Sequence, residues 1–398
     1  MFLVQPIQAQ NYRISTYPDL WYNDTDGIRL GLRFLGEVEG TFKDGPHRLD
    51  AGIWVGSKFP ENPVSYYFSF TEPIPVISDF GSEGNIQFIS SIRTGYSMHQ
   101  LRLNKRWQQE FDDLDYTELS FFGSYEKNVD SSYRFDPGGW SDTWKTLVGL
   151  DGVFSRDFDQ FRTHNSAQFL RELDQGFNSI QFQSVNRIKL SDGVHLRTRF
   201  YFHQADANSY NEYFGYLWTN APAFWLQNGF KRASGTIPDS WLTDGFFHFS
   251  GGPNLRGYSD HAINGFERSV YTQYQTVYGV NFEFVYPNPI DKVLNKNEII
   301  GDLVEFQSYL FFDAGGGENE VQKQVPVSAQ NEGMIFETGT ITDAGLGFQF
   351  SVNIPDYLGK DRGIFIRYDI PFWISAPSNN ESNFKLRNVI GIGAIFNF

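Results

Sequence analysis

The sequence of 398 residues contains no cysteine. Disulfides, thiolate metal sites and cysteine nucleophiles are therefore excluded together. It also lacks any window of about 18 consecutive apolar residues, so no segment qualifies as a helical bilayer span. Basic residues are outnumbered, 32 Lys and Arg against 47 Asp and Glu, and they are scattered. A nucleic-acid partner is thereby disfavoured, because counterion release from phosphates needs clustered cations. The patterns His-Glu-x-x-His, Gly-x-Ser-x-Gly and Gly-x-x-x-x-Gly-Lys do not occur, so three common routes to hydrolysis and phosphate binding have no motif here. Seven histidines are dispersed without metal-ligand spacing. No catalytic residue, metal site or cofactor is expected.

Aromatic residues, in contrast, are abundant: 40 Phe, 21 Tyr and 9 Trp make up 18 % of the chain. They recur in segments of period two rather than in runs. In residues 27–35, Ile28, Leu30, Leu32 and Phe34 share one face and Arg29, Gly31 and Arg33 the other. Residues 48–55 repeat the design, and Val64, Tyr66, Phe68 and Phe70 form a third apolar face. Such alternation is the signature of strands with two unlike faces. Between 86 and 203 the segments are noisier, and the stretch 84–245 gives uncertain boundaries. Only residues 214–228 offer a weak helical period.

The last third is clearer. Val280, Phe282 and Phe284 oppose Asn281 and Glu283; Leu310 and Phe312 oppose Phe311 and Asp313; Ile366, Tyr368 and Ile370 oppose Arg367 and Asp369. The chain ends within an alternating stretch, 388–398, that carries Gly391, Gly393, Phe396 and Phe398. Spread over about 16 strands, the chain allows about 25 residues for each strand and its connection, of which roughly 10 would cross a bilayer. The fold class expected is all-β, a transmembrane antiparallel barrel of about 16 strands. A soluble pair of sandwiches would show the same alternation but would not expose so many Phe and Tyr outward. Residues 1–17 are expected to be a signal-peptide remnant or linker, and 18–398 a single barrel domain whose first strand begins near Gly27.

One stretch, Gly251-Gly252-Pro253-Asn254-Leu255-Arg256-Gly257-Tyr258, is not a strand. An arginine held between glycine-containing turns needs buried carboxylates if it enters a dry lumen, and Glu283 and Asp313 both point inward by parity. The stretch from Gly252 to Tyr258 resembles the arginine-glycine-aromatic tip of the sixth outer loop in the BamA-like superfamily, which includes TamA and the two-partner secretion transporters. Phe311-Phe312-Asp313-Ala314-Gly315 is similar to that superfamily's thirteenth strand, and Glu283 matches the acidic position of its twelfth. Gly393, Phe396 and the terminal Phe398 resemble the C-terminal recognition signal of bacterial outer-membrane proteins. The resemblance is specific over 251–398 and looser before it.

The resemblance implies a bacterial surface antigen type of barrel in a Gram-negative outer membrane, with the sixth loop folded into the lumen. Arg256 would tether the loop to Glu283 and Asp313, with Gly252, Gly257 and Tyr258 shaping its tip. Gly391 and Gly393 would weaken a seam between the first and last strands. The implied partners are outer-membrane lipid and lipopolysaccharide, a client protein, or a periplasmic or surface partner. Polypeptide-transport domains, which members of that superfamily carry ahead of the barrel, are not seen before Gly27, which puts the assembly role in doubt. Protein insertion or translocation is the function implied first, or service as the membrane module of a larger or partnered protein. The alternatives are the barrel of a surface peptidase, lipase or phosphatase fusion, and a passive diffusion pore. Two acidic groups, Asp112-Asp113-Asp115 and Glu318 with Glu320, could hold a hard cation, although solvated loops account for them better. Asp157, Asp159 and Asp174 could supply a carboxylate pair.

Overall fold

The computed structural model describes residues 12–23, 27–38, 47–58, 63–79, 81–93, 96–108, 115–129, 140–218, 255–258, 271–294, 303–319, 337–354, 362–377 and 381–395. Eighteen strands follow one another: β1 (Tyr12–Asn23), β2 (Gly27–Val38), β3 (Arg48–Gly56), β4 (Val64–Pro73), β5 (Ser82–Arg93), β6 (Tyr96–Gln108), β7 (Tyr116–Asn128), β8 (Lys145–Phe158), β9 (Phe161–Glu172), β10 (Asn178–Ser191), β11 (Val194–Ala205), β12 (Gly215–Trp218), β13 (Tyr271–Tyr274), β14 (Thr276–Tyr286), β15 (Val304–Glu318), β16 (Glu337–Ile354), β17 (Arg362–Ile374) and β18 (Val389–Ile395). Among the described residues sixteen of them form one sheet in chain order, with β14 beside β11, while β12 and β13 form a separate two-stranded pair. All neighbours are antiparallel, as expected of a meander built from short connections. Asp192-Gly193 shows the local logic: Gly193 has φ +74°, a left-handed conformation that glycine adopts without strain and that closes the two-residue hairpin between β10 and β11.

The two faces of this sheet are inverted relative to a soluble protein. On the outer face Leu30, Leu32, Ile53, Leu101, Phe121, Phe182, Phe284 and Leu310 are exposed. On the inner face Glu126, Lys145, Glu172, Arg197, Glu283, Asp313 and Arg367 have 0–1 % of their surface accessible. Charged side chains reach that burial only when partners surround them. Those partners come from strands that are not neighbours. Arg102 on β6 meets Asp151 on β8 at 2.5 Å, Arg197 on β11 donates to Gln307 on β15 at 2.7 Å, and Arg367 on β17 reaches Glu283 on β14. The sheet is therefore rolled into a barrel with its polar face inside.

Connections alternate between two rims. The rim opposite the start of β1 carries 24–26, 57–63, 94–95, 129–144, 173–177 and then 206–275, which is the sixth and holds β12, β13 and the turn at Arg256. Among the described residues β1 pairs only with β2 and β18 only with β17.

Three expectations change. Tyr12 to Tyr17, assigned above to a leader or linker, pair with Val38 to Arg33 as part of β1. The strand at 27–35 is in consequence the second, flanked on both sides, and the free edge belongs to β1. The alternation is interrupted at Thr16 and Pro18, which share a face with Ile14 and Leu20, and this masked the strand in the sequence. Residues 1–11 lie outside the described residues. Finally, 215–218 within the weak helical stretch are strand β12, because cross-strand pairing with β13 overrides a marginal helical period; 219–228 lie outside the described residues.

The face assignment predicts an asymmetry. In phospholipid vesicles, Leu101→Arg on the outer face of β6 should lower unfolding stability by about 2–4 kcal/mol, whereas Gln181→Arg on the inner face of β10 should cost clearly less. Equal losses in urea titrations at the two positions would show that the faces are assigned wrongly.

Candidate functional site

The site is a buried turn rather than a cleft. Arg256–Tyr258 forms a single 3-10 turn, closed by the Tyr258 N–H donating to the Leu255 carbonyl at 3.1 Å, and it lies inside the barrel against β16 and β17. Leu255 and Tyr258 are fully buried with Tyr201, Tyr274, Val277, Ile341 and Ile374. Burying such an apolar set contributes roughly 1.5–3 kcal/mol for each large side chain. It carries the turn into the lumen along with its charge.

Arg256 makes a two-pronged contact. Its Nε and Nη2 donate to Oδ2 and Oδ1 of Asp313 at 2.7 and 2.8 Å, and its Nη1 donates to Oε1 of Glu283 at 2.7 Å. Planar guanidinium and carboxylate groups match in this fork, which a lysine cannot reproduce. The guanidinium also stands 4.0 Å from the centre of the Phe311 ring, a cation–π contact in a desolvated place. Asp313 and Glu283 are completely buried, so their remaining lone pairs need donors as well. Asn281 supplies one to Asp313 at 2.8 Å, and Arg367 supplies one to Glu283. Arg197 adds its charge 3.6 Å from the other Glu283 oxygen.

The network continues sideways. Arg367 Nε donates to the Tyr309 hydroxyl at 2.8 Å, and that hydroxyl donates to Asp369. Arg197, Arg199, Arg256 and Arg367 are all buried in the company of Glu283, Asp313, Asp343 and Asp369. Pairing of arginines with carboxylates is what permits so many ions away from water.

Gly257 and Tyr258 complete the turn. A Cβ on Gly257 would lie 2.5 Å from Cβ of Asp343 and 2.9 Å from Ile374, so only glycine permits this approach to the wall. The Tyr258 hydroxyl donates to the Thr342 carbonyl at 3.2 Å and accepts from the Ala376 N–H at 3.1 Å.

A second attachment holds the other limb of the same connection. Glu212 and Lys145, both buried, are 2.6 Å apart, and the Tyr213 hydroxyl donates to Glu126. Tyr213 packs with Phe122, Leu147, Leu170 and Phe177 of the β7–β10 wall. The described parts of the connection are thus attached at two places, 212–213 on β7–β8 and 255–258 on β14–β17.

Of the residues singled out in the sequence, Arg256, Glu283, Asp313, Gly257 and Tyr258 are brought together here. Gly391 and Gly393 lie on β18, in register with Arg367 and Phe365. Gly252, Phe396 and Phe398 lie outside the described residues. Asp157, which pairs with Arg162 at 2.7 Å, and Asp159 line one cavity at the β8–β9 turn together with Arg187, Lys189 and His195, while Asp174 sits at the opposite rim and does not join them. Asp115 pairs with Arg156 at 3.1 Å; Asp112, Asp113 and Glu320 lie outside the described residues. Among the described residues no three His, Asp or Glu side chains form a metal-binding group. Sequence reasoning missed Arg197, Tyr309, Arg367 and Asp369 as partners. Their inward parity was the signal available for them. Nothing in the sequence pointed to Lys145 and Glu212, which meet only where the sixth connection folds against β8.

No family model and no curated protein matches the chain. Among solved structures it is similar to BamA from Haemophilus ducreyi lacking POTRA domains 1–3, at 10 % identity and a TM-score of 0.48, over 96 % of this chain and 70 % of that one. It is also similar to CdiB from Escherichia coli, at 10 % identity and a TM-score of 0.45, over 96 % of this chain and 62 % of that one. The copper transporter OprC follows at 8 % identity and 0.37, over 93 % and 62 %.

Removing one partner of the fork leaves the others buried without compensation. Arg256→Ala should therefore lower unfolding stability by about 3–5 kcal/mol and open 206–275 to added protease. Arg256→Lys should recover only part of both effects, and unchanged unfolding in the alanine variant would rule out the contact as a fastening.

Proposed function

We propose that this chain is a Gram-negative outer-membrane β-barrel that inserts or translocates polypeptide, or serves as the membrane module of a partner, and that it is not itself an enzyme. The observation that carries this reading is the fastening of the sixth outer connection inside the barrel by Arg256, Glu283 and Asp313. The exposed apolar outer face supports the membrane location. Its residues would meet acyl chains, and phospholipid and lipopolysaccharide would be its surroundings.

A connection anchored at two places on the inner wall favours a gated role over free diffusion. Arg367 and Asp369, which complete the network under Arg256, are register partners of Gly391 and Val389 on the last strand. The fastening therefore ends one strand away from the barrel's edge. Glycines in that strand lower its cohesion. In this reading release of the turn loosens β17 and β18 together, and the edge between β18 and β1 receives a client strand by main-chain pairing. The chemistry required is hydrogen bonding and charge neutralisation, with no bond made or broken in the client.

The reading separates from a passive pore in planar bilayers. The unmodified protein should give small, irregular currents and Arg256→Ala larger ones. Large steady currents in both would sink the gated reading. Vesicles that contain the protein should also speed insertion of an unfolded outer-membrane barrel added from outside; an unchanged insertion rate would leave the membrane-module role in its place.

A further inference from the structure

The outer face of the barrel is interrupted at mid-height across β9–β11. By register, Thr163 and Asn165 on β9, Ser184 and Asn186 on β10, and Thr198 on β11 share that face. Apolar residues flank them on both sides along the strands: Phe169, Phe182 and Phe200 towards one rim, Ile188, Leu190 and Leu196 towards the other. The polar groups therefore sit where acyl chains would be, not at an interface where headgroups or water could serve them.

They are joined in one chain of hydrogen bonds. Asn165 Nδ2 donates to Thr163 Oγ1 at 2.8 Å, Thr163 Oγ1 donates to Asn186 Oδ1 at 2.7 Å, and Asn186 Nδ2 is shared between Ser184 Oγ at 3.0 Å and Thr198 Oγ1 at 3.2 Å. Thr163, Ser184 and Thr198 are themselves buried, so Asn165 and Asn186 are the members that keep accessible surface, and their amides have further capacity because an amide oxygen accepts twice. Hydrocarbon offers nothing to use it, and polar groups left in that state are costly. The side chains in the patch are shorter than the phenylalanines beside them. Beside it on β8, in register with Thr163, Arg156 pairs with Asp115 at 3.1 Å.

Resting on the membrane reading above, we propose that the outer face of β8–β11 is an interface between two copies of this chain. The chemistry of the patch fits a second copy in particular. Amides and hydroxyls are donors and acceptors at once, so the patch complements itself about a twofold axis. Arg156 and Asp115 place both signs of charge at its margin, so a rotated copy sets each opposite the other. Polar side chains of this kind join spans within a bilayer. The flanking phenylalanines would form the apolar remainder of the contact.

The absence of native cysteine makes the test direct. Ala167→Cys, beside the patch and pointing outward, and Leu101→Cys, on the distant outer face of β6, would each carry a fluorescent label in vesicles containing doxyl-labelled lipid. The Leu101 position should be strongly quenched and the Ala167 position protected. At high dilution in lipid, a short bismaleimide should join tagged to untagged copies through Ala167→Cys but not through Leu101→Cys. Adding Asn186→Leu to Ala167→Cys should abolish that product and restore quenching, with folding checked by heat-dependent electrophoretic mobility. Quenching at Ala167 equal to that at Leu101 would overturn the interface. Protection without any joined copies would overturn the second copy as the occupant. No quenching at Leu101 would instead overturn the membrane reading, and this inference with it.

Discussion

A guanidinium taken out of water must find carboxylates in the right plane, and much of this molecule follows from how Arg256 meets that demand. Asp313 offers both oxygens, and Glu283 offers one. Those acids are themselves buried, so they require Asn281, Arg367 and Arg197. Arg367 in turn requires Tyr309, and Tyr309 leads to Asp369. The demand for compensation spreads from one turn across β11, β14, β15 and β17.

Such a network contributes less to net stability than its number of contacts suggests, because desolvation offsets most of the attraction. Its value lies in selecting one arrangement. The turn at 255–258 can sit in only one register, since Gly257 fits against Asp343 and Ile374 without a Cβ to spare and Tyr258 closes on Thr342 and Ala376. Lys145 with Glu212 and Tyr213 with Glu126 do the same for the other limb. A strap fixed at two places on the inner wall resists displacement more than either contact could alone, because freeing one end leaves the second closed.

The outer face obeys a simpler rule, with a single apolar belt and little specific geometry. The departure at Thr163, Asn165, Ser184, Asn186 and Thr198 has meaning for that reason. Inside, polar residues are the norm and are balanced by neighbours; outside, a polar group at mid-height has only its own strand neighbours for company. The two faces thus carry information of different kinds. The inner one fixes the strap, and the outer one fixes what may lie alongside the barrel.

Period-two alternation by itself determined the strands within 27–70 and in the last third, the inside and outside of each, and the inward direction of Glu283 and Asp313, because the pleat admits no other assignment once one face is apolar. It also carried Arg367 and Asp369 as inward residues, though not as partners of the turn. The sequence failed at β1, where Thr16 and Pro18 dilute the alternation and only pairing with β2 reveals a strand. It failed again at Lys145 and Glu212, because 67 residues of chain separate them and only the rolled sheet brings β8 to the sixth connection. The polar patch on β9–β11 was equally invisible, since each strand shows only one or two polar residues there and the register alone aligns them. Parity is a local property of the backbone, readable residue by residue. Which charge meets which across a lumen depends on curvature and register, and those are decided only when all the strands are in place.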